Sequence, residues 1–144
     1  MGDWAVGRLG EWDRLFKPGG GFFLIAGPCV LEHDALNLQV AFELARLRDA
    51  LDLPVIIKAS FDKANRSKAG AARGPGMDEG LRQLERVRNE CGLPVLTDVH
   101  EPEQATAAGG VCDVLQIPAF LSRQTDLVVA GAKTGRSINI KKGQ

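Results

Sequence analysis

The sequence predicts an α/β protein in which parallel strands alternate with helices, arranged as part of a (β/α) barrel. Short apolar runs alternate with helical patterns along the chain, as in parallel sheets joined by crossover helices. Polar residues follow the apolar runs each time, at Cys29, Lys58, Asp98, Gln116 and Lys141, and barrels carry their chemistry at these strand ends. Neither GxGxxG nor GxxxxGKS/T occurs, so the barrel is preferred over a doubly wound nucleotide-binding sheet.

The composition is that of a single soluble domain. The chain has 144 residues, 44% of them apolar and 25% charged, with 18 Lys+Arg balanced by 18 Asp+Glu. Zero net charge argues against electrostatic binding of nucleic acid or of an anionic membrane surface. No apolar run approaches the ~20 residues of a membrane span, and the N-terminus lacks a signal-peptide pattern. We therefore expect a cytoplasmic protein whose three cysteines stay reduced.

The chain divides into a short N-terminal arm, residues 1–21, and a partial barrel, residues 22–144, that holds strands one to five. The arm carries apolar residues at loose helical spacing and ends at Pro18-Gly19-Gly20-Gly21, which breaks the chain. Apolar runs predict strands at 22–26, 55–57, 94–96, 111–117 and 137–140. Helical spacing predicts helices at 34–51, 78–91, 101–108 and 123–133. A full barrel takes ~250 residues, so five βα units make up part of one.

Two of these helices have an apolar face that should pack on the sheet. In the first, the face consists of Leu36, Val40, Leu44, Leu47 and Leu51. In the second, it consists of Leu81, Leu84 and Val87. We expect His33 to cap the first helix or to face solvent. Cys91, at a helix end, and Cys112, at a strand start, match no motif and are expected to be structural.

The densest polar stretch runs from Lys58 to Lys68 and directly follows the second strand. It contains four cations and two serine hydroxyls, a set that would bind phosphate or carboxylate groups by charge and by the two-pronged donors of arginine. A solvated loop with its cations in water is the alternative. Lys58 weakens that alternative, because it comes immediately after the buried run Val55-Ile56-Ile57.

The segment Lys58–Ser67, KASFDKANRS, closely resembles the signature of the 3-deoxy-D-manno-octulosonate 8-phosphate synthases, also named 2-dehydro-3-deoxyphosphooctonate aldolases. Further segments that match this family lie at 26–29, 97–101, 116–127 and 132–144. The sister family, the 3-deoxy-heptulosonate 7-phosphate synthases, carries a Lys-Pro-Arg-Thr-type segment where this chain has Lys58-Ala59-Ser60. That difference favours the octulosonate enzymes, and the heptulosonate enzymes are kept as an alternative.

The resemblance implies a TIM-barrel transferase that condenses phosphoenolpyruvate with D-arabinose 5-phosphate and water and releases phosphate. This reaction lies on the route to the Kdo sugar of lipopolysaccharide. Both substrates are anions, which suits a cationic pocket in a neutral chain. By resemblance, phosphoenolpyruvate would be bound or acted on by Lys58, Lys63, Asp98, His100, Gln116, Pro118, the Ala119 backbone and Lys141. Arabinose 5-phosphate would be held by Ser60, Asn65, Arg66, Ser67 and, from a neighbouring subunit of a homo-oligomer, Arg123.

Cys29 carries the prediction of a cofactor. A lone cysteine after a strand is more often a small buried apolar side chain than a ligand. In this family, however, an asparagine at this position marks enzymes that need no metal. A cysteine marks those that bind a divalent metal, such as zinc, iron or manganese, together with a His, a Glu and an Asp from later strands. The resemblance therefore implies a metal in the intact enzyme, with Cys29 as its ligand within these 144 residues.

Two interpretations of the chain stay open at this point. It is either the N-terminal part of a synthase, or a truncated half-barrel without catalysis that acts as an anion-binding or assembly piece. In both cases we expect the 144 residues alone to show little or no synthase activity and to hold no metal tightly, because metal sites of this type need three or four ligands.

Overall fold

The computed structural model describes residues 21–64, 68 and 70–143. Within them, strands and helices alternate as predicted. The strands are β1 (Leu24–Val30), β2 (Val55–Ser60), β3 (Val95–Asp98), β4 (Val114–Ile117) and β5 (Ser137–Ile140). The helices are α1 (Asp34–Leu51), α2 (Met77–Cys91), α3 (Pro102–Val111) and α4 (Thr125–Lys133), with a 3₁₀ turn at Ala119–Leu121. Nearly all of the predicted arm, residues 1–20, lies outside the described residues.

All five strands pair in parallel, and their spatial order is the chain order, β1-β2-β3-β4-β5. A doubly wound sheet reverses its strand order at a switch point, and this sheet does not. Consecutive order with helical crossovers is the arrangement of a barrel wall. The structure therefore confirms the predicted partial (β/α) barrel of about five units.

The strands at the centre of the sheet are buried on both faces. On the helix side, the main core includes Leu84, Val87, Val95 and Leu115. On the opposite face, a smaller cluster is formed by Ile56, Leu96 and Val114, with Phe23 packed against it. Burial on both faces explains why β2–β4 read as continuous apolar runs in the sequence. No helix of the described residues is long and apolar enough to cross a membrane.

The helices agree with the sequence in most details. His33 caps α1, with its Nδ1 accepting a hydrogen bond from the Leu36 backbone N–H at 3.2 Å, and Leu81, Leu84 and Val87 of α2 are buried as predicted. In α1 the buried residues are Asn37, Ala41 and Leu44. Leu44 is thus the one member of the predicted apolar face that is buried, and Leu36, Val40 and Leu47 are half-buried. The prediction of a buried Leu51 is wrong: it is exposed, because it ends the helix just before Asp52 turns the chain in a left-handed conformation.

Several predicted strand boundaries are wrong: β2 and β3 run past their predicted ends to Ser60 and Asp98, and the largest differences are in β1 and β4. β1 does not stop at Ala26 but continues to Val30 through an irregular register between Ala26 and Cys29. β4 starts at Val114, because Val111 still belongs to α3 and Cys112 is its C-terminal cap, with its N–H bonded to the Ala108 carbonyl. An apolar run does not mark where a helix ends and a strand begins. Cys112 is fully buried, and this burial raises the pKa of its thiol to about 12.

The passage through β1 depends on a glycine. A Cβ atom on Gly27 would lie 2.1 Å from the Lys58 backbone oxygen, well inside any real contact. Because glycine has no Cβ atom, β1 and β2 can approach closely at this position. Two residues later, Cys29 has a positive φ of 67°, a backbone conformation that is costly for a residue with a side chain. This local geometry sets the Cys29 side chain beside those of β2 at the end of the sheet.

Candidate active site

A cavity of about 550 Å³ opens at the carboxyl ends of the strands. This is the size of a small-molecule site, in the place where barrels carry their chemistry. Ten of the residues singled out by the sequence lie in its lining: Cys29, Lys58, Ser60, Lys63, Asp98, His100, Gln116, Pro118, Ala119 and Lys141. Consecutive parallel strands bring these side chains together although they span more than 110 residues of sequence.

Asp98, at the end of β3, is the centre of the polar network on the cavity floor. Its Oδ2 lies 2.7 Å from the Lys58 Nζ and also accepts a hydrogen bond from the Ser60 hydroxyl. Its Oδ1 accepts one from the Gln116 Nε2 at 2.5 Å. Burial alone would raise the pKa of Asp98, but Lys58, Ser60 and Gln116 together outweigh it and lower that pKa below its ordinary value. The carboxyl is therefore an anion at neutral pH.

The network continues along the floor through neighbouring strands. The Lys58 Nζ also donates to the Ser60 Oγ at 2.8 Å and to the Cys29 backbone oxygen at 3.2 Å. Asn139 of β5 donates from Nδ2 to the Gln116 Oε1 at 2.8 Å, which orients that amide with its nitrogen toward Asp98. The sequence analysis missed Asn139 as a contributor. Its position opposite Gln116 in the β4–β5 register is the signal that could have identified it.

Cys29 and Lys63 form a second pair at the cavity wall. The Lys63 Nζ donates a hydrogen bond to the Cys29 Sγ at 2.9 Å. That bond is the largest influence on the pKa of the thiol and lowers it, helped by the charges of Lys58 and Lys63 against the effects of partial burial and of Asp98. Cys29 is exposed and free. It is therefore the most readily ionised of the three thiols, since burial raises the pKa of the other two.

The described residues do not by themselves fit a divalent metal. Among them, no group of three or more His, Cys, Asp and Glu side chains is placed to hold an ion. Cys29 supplies one suitable donor, and its Sγ faces Lys63 rather than further ligands. The predicted metal stays a prediction, and its remaining ligands are not found in this part of the structure.

His100 forms one side of the cavity just after β3. Its backbone N–H donates to the Gln104 Oε1 at 2.9 Å, and its ring meets the edge of Phe61 with centroids 6.4 Å apart. The buried Nδ1 finds no hydrogen-bond partner among the described atoms. The ring is thus held by packing against Phe61 and by its backbone more than by polar contacts.

The charges of the cavity favour anionic ligands. Lys58 is already matched by Asp98, whereas Lys63 and Lys141 face the cavity with no carboxylate recorded against either among the described residues. Asp62 is the other acidic group of the lining, and its carboxylate is paired with Arg73 outside the cavity. The charges of Lys58 and Asp98 balance each other on the cavity floor, so the ammonium groups of Lys63 and Lys141 give the cavity its positive charge. A ligand with phosphate or carboxylate groups suits such a cavity.

Comparison with known proteins agrees with this chemistry. The sequence matches the DAHP synthetase I family over residues 16–144. The chain belongs to this family. Relatives named 2-dehydro-3-deoxyphosphooctonate aldolase include that of Koribacter versatilis, 59% identical over 122 residues, and that of Trichlorobacter lovleyi, 57% identical over 130 residues. The relative from Synechococcus sp. is 51% identical over 146 residues. The predicted resemblance to the octulosonate synthases is confirmed.

This member of the DAHP synthetase I family aligns with only part of the length of each relative. The three cover 85%, 89% and 100% of the chain but 44%, 48% and 51% of the relatives. The chain spans about half the length of the curated relatives it matches.

Some predicted site residues are not placed in the cavity. Asn65, Arg66 and Ser67 lie outside the described residues. Arg123 is exposed and is not part of the lining, and its contact with a neighbouring subunit stays a prediction. Four lining residues were not singled out by the sequence analysis: Asp62, Ala64, Phe120 and Leu121. They lie within the matching segments 58–67 and 116–127, which is the signal that could have found them.

Proposed function

We propose that this chain forms the substrate-binding half of a synthase that makes 3-deoxy-D-manno-octulosonate 8-phosphate and phosphate from phosphoenolpyruvate, D-arabinose 5-phosphate and water, in Kdo and lipopolysaccharide biosynthesis. The observation that carries the proposal is the convergence of Lys58, Lys63 and Lys141 on one cavity around the Asp98 network. The name shared by relatives 51–59% identical supports the octulosonate reaction over its heptulosonate alternative.

The lysines have distinct tasks in this proposal. Lys63 and Lys141 bind the phosphate and carboxylate of phosphoenolpyruvate, because both line the cavity. The Lys63 ammonium gives one of its three N–H donors to the Cys29 Sγ and keeps the others for the ligand. Lys58 is fixed by Asp98, Ser60 and the Cys29 carbonyl, so it presents a charge of constant position to the bound anion. Preorganised charges of this kind stabilise developing negative charge without reorganisation during the reaction.

The reaction itself requires two anions to meet. C3 of phosphoenolpyruvate attacks the aldehyde carbon of the sugar, and the oxygen of water adds at C2. One proton of the water ends on the former aldehyde oxygen, the bond from C2 to the phosphate oxygen breaks, and phosphate leaves with the other proton as the C2 ketone forms. Holding two like-charged reactants in contact against their repulsion is a positioning task, and positioning contributes several orders of magnitude to such rates. In our proposal Gln116, Pro118 and the Ala119 backbone shape the phosphoenolpyruvate side. Asp98 and His100 lie near the reacting carbons, and Ser60 with Asn65, Arg66 and Ser67 holds the arabinose phosphate.

Three further features belong to the proposal for the complete enzyme. A divalent metal would take Cys29 as one ligand and supply Lewis-acid polarisation or orientation of the substrates. Arg123 would complete the arabinose phosphate site of a neighbouring subunit in a homo-oligomer. The enzyme would act in the cytoplasm.

Binding tests the cavity directly. Phosphoenolpyruvate is titrated calorimetrically into residues 1–144 as wild type, as Lys63→Ala/Lys141→Ala, and as Lys133→Ala. Lys133, an exposed lysine of α4 outside the cavity lining, is the control for a general loss of positive charge. We expect weak binding to wild type and to the control, and a loss of at least tenfold in the double variant. Equal binding by all three would remove the lysine cavity from the proposal.

Activity is tested together with the part of a relative that the chain does not cover. The chain is co-expressed with the C-terminal half of the Koribacter versatilis relative, manganese or zinc is added, and phosphate release is followed with D-arabinose 5-phosphate or D-erythrose 4-phosphate. Faster turnover of the five-carbon sugar supports the proposal, and faster turnover of the four-carbon sugar supports the heptulosonate alternative. A folded complex that is inactive, beside an active intact relative, supports the non-catalytic half-barrel.

A further inference from the structure

The segment that follows β2 is clasped at its base. The Lys63 backbone N–H donates to the Arg73 carbonyl at 2.6 Å, and the Gly76 N–H donates to the Phe61 carbonyl at 3.1 Å. The Arg73 side chain adds a two-pronged bond to Asp62, from Nε at 2.8 Å and from Nη2 at 2.5 Å. We call this arrangement of Phe61–Lys63 with Arg73–Gly76 the clasp. The Phe61–Lys63 part of the clasp ends at Lys63, which lines the cavity.

The clasp pairs a carboxylate of the cavity lining with an arginine. Asp62 lines the cavity with only 22% of its side chain exposed, and an unpaired carboxylate there would repel an anionic ligand. Asp62 directly precedes Lys63 in the chain, and both residues line the cavity, so an unpaired charge on Asp62 would offset part of the positive charge that Lys63 brings to the site. Arg73 occupies both carboxylate oxygens while its own side chain is 57% exposed, and it does not itself line the cavity.

We propose that Arg73 is a positioning residue for anion binding: it pairs with the charge of Asp62, so that the positive charge of Lys63, whose ammonium also donates to the Cys29 Sγ, acts undiminished on the substrate anion. This inference rests on the proposed function, because it assigns Lys63 to phosphoenolpyruvate. Arg73 acts entirely through its neighbours. Its side chain pairs with the Asp62 carboxylate. Its backbone carbonyl accepts the hydrogen bond from the Lys63 N–H and so holds the backbone at Lys63 in place.

Two variants distinguish the effect of the Arg73 charge from that of its backbone hydrogen bond. Arg73→Gln keeps the carbonyl that accepts from Lys63 but leaves the Asp62 charge unpaired beside the cavity. Asp62→Asn/Arg73→Gln removes that charge again and restores the balance. If Arg73 only held the fold, the second substitution would not recover ligand affinity. Recovery by removing Asp62 is therefore specific to the electrostatic role.

The experiment is a calorimetric titration of phosphoenolpyruvate into residues 1–144, with a thermal melt of every variant. Arg46→Gln is the matched control, because Arg46 makes the same Nε and Nη2 bonds to Glu43 on exposed α1, away from the cavity. We expect about tenfold weaker binding for Arg73→Gln, as for one unscreened like charge near a bound anion. We expect the double variant to bind within about threefold of wild type, and Arg46→Gln to bind like wild type.

The outcomes separate this inference from the proposed function. Wild-type binding with no loss in Arg73→Gln, or a double variant as weak as the single one, overturns the role of Arg73 and leaves the proposed function intact. A wild type that binds no phosphoenolpyruvate overturns both. If Arg73→Gln does not fold, Arg73→Lys decides, since it keeps the charge without the fork. Binding within about fourfold of wild type then supports the inference, and a tenfold loss overturns it.

Discussion

Asp98→Ala tests the cavity floor most severely. The substitution removes the acceptor for three donors and leaves the Lys58 ammonium without a counter-charge in a side chain that is 18% exposed. Breaking a buried ion pair from one side costs about 3–5 kcal/mol. Because the Lys58 Nζ keeps the Ser60 Oγ and the Cys29 carbonyl as acceptors, we expect the lower end, about 3 kcal/mol.

Urea denaturation measures this loss. With a slope of about 2 kcal/mol per molar urea for a domain of this size, the midpoint should fall by about 1.5 M. Glu43→Ala is the control, because it also removes the carboxylate of an ion pair, here with Arg46, but at an exposed position of α1. That control should leave the midpoint nearly unchanged. A shift no larger than that of the control would refute the assignment of Asp98 as the centre of the network.

The same residue predicts a pH dependence with a definite sign. The pKa of Asp98 is lower in the folded chain than its ordinary value of 3.8, so its ionised form stabilises the fold. That contribution is complete above pH 3.8 and is lost as the pH falls through the folded pKa. The stability difference between wild type and Asp98→Asn should therefore be constant near neutrality and shrink below about pH 4. A difference that grows on acidification would contradict the structure.

Three further predictions concern a glycine of β1, the cysteines and the cap of α1. Gly27→Ala should destabilise the fold by more than about 3 kcal/mol, because the added Cβ would collide with the backbone of β2. Gly92→Ala is the control: Gly92 also has a positive φ, +62°, but nothing lies within 4 Å of an added Cβ, so we expect a cost of only about 1 kcal/mol. Urea denaturation midpoints of the two variants compare these costs. Iodoacetamide at pH 7.5 should alkylate Cys29 first and leave Cys112 unmodified until the chain unfolds, as peptide mass spectrometry would report. His33→Ala should cost about 0.5–1 kcal/mol through the lost helix cap and His33→Asn much less, by thermal melts.

The sequence predicts the site better than it predicts the boundaries of the elements. The prediction that Lys58, Asp98 and Gln116 follow the strands is right only for Asp98, which ends β3, whereas Lys58 and Gln116 lie inside β2 and β4, near their carboxyl ends. All three still meet in one cavity, because consecutive parallel strands bring their carboxyl ends to the same edge of the sheet. Strand ends are harder, because hydrophobicity is continuous across them. Val111 and Cys112 belong to the end of α3, yet they join the apolar run of β4 in the sequence.

The contributors that were missed depend on tertiary geometry. Asp62 and Arg73 stand 11 residues apart, and only the course of the chain between them brings their side chains together. Asn139 is one amide among several polar residues near the end of the chain, and its role appears only when β5 is placed in register with Gln116. Charge and residue type identify candidates, but pairing between distant residues requires coordinates.

The consecutive strand order also bears on how the chain acquires its structure. Each strand pairs with the one made just before it, as when Val114 joins Leu96, 18 residues earlier, or Val95 joins Ile57, 38 residues earlier. A strand leaving the ribosome thus meets a partner that is already present, and each addition closes only a short loop. The sheet can grow one βα unit at a time in the direction of synthesis, and the cluster of Ile56, Leu96 and Val114 gains one side chain each from β2, β3 and β4 as they dock.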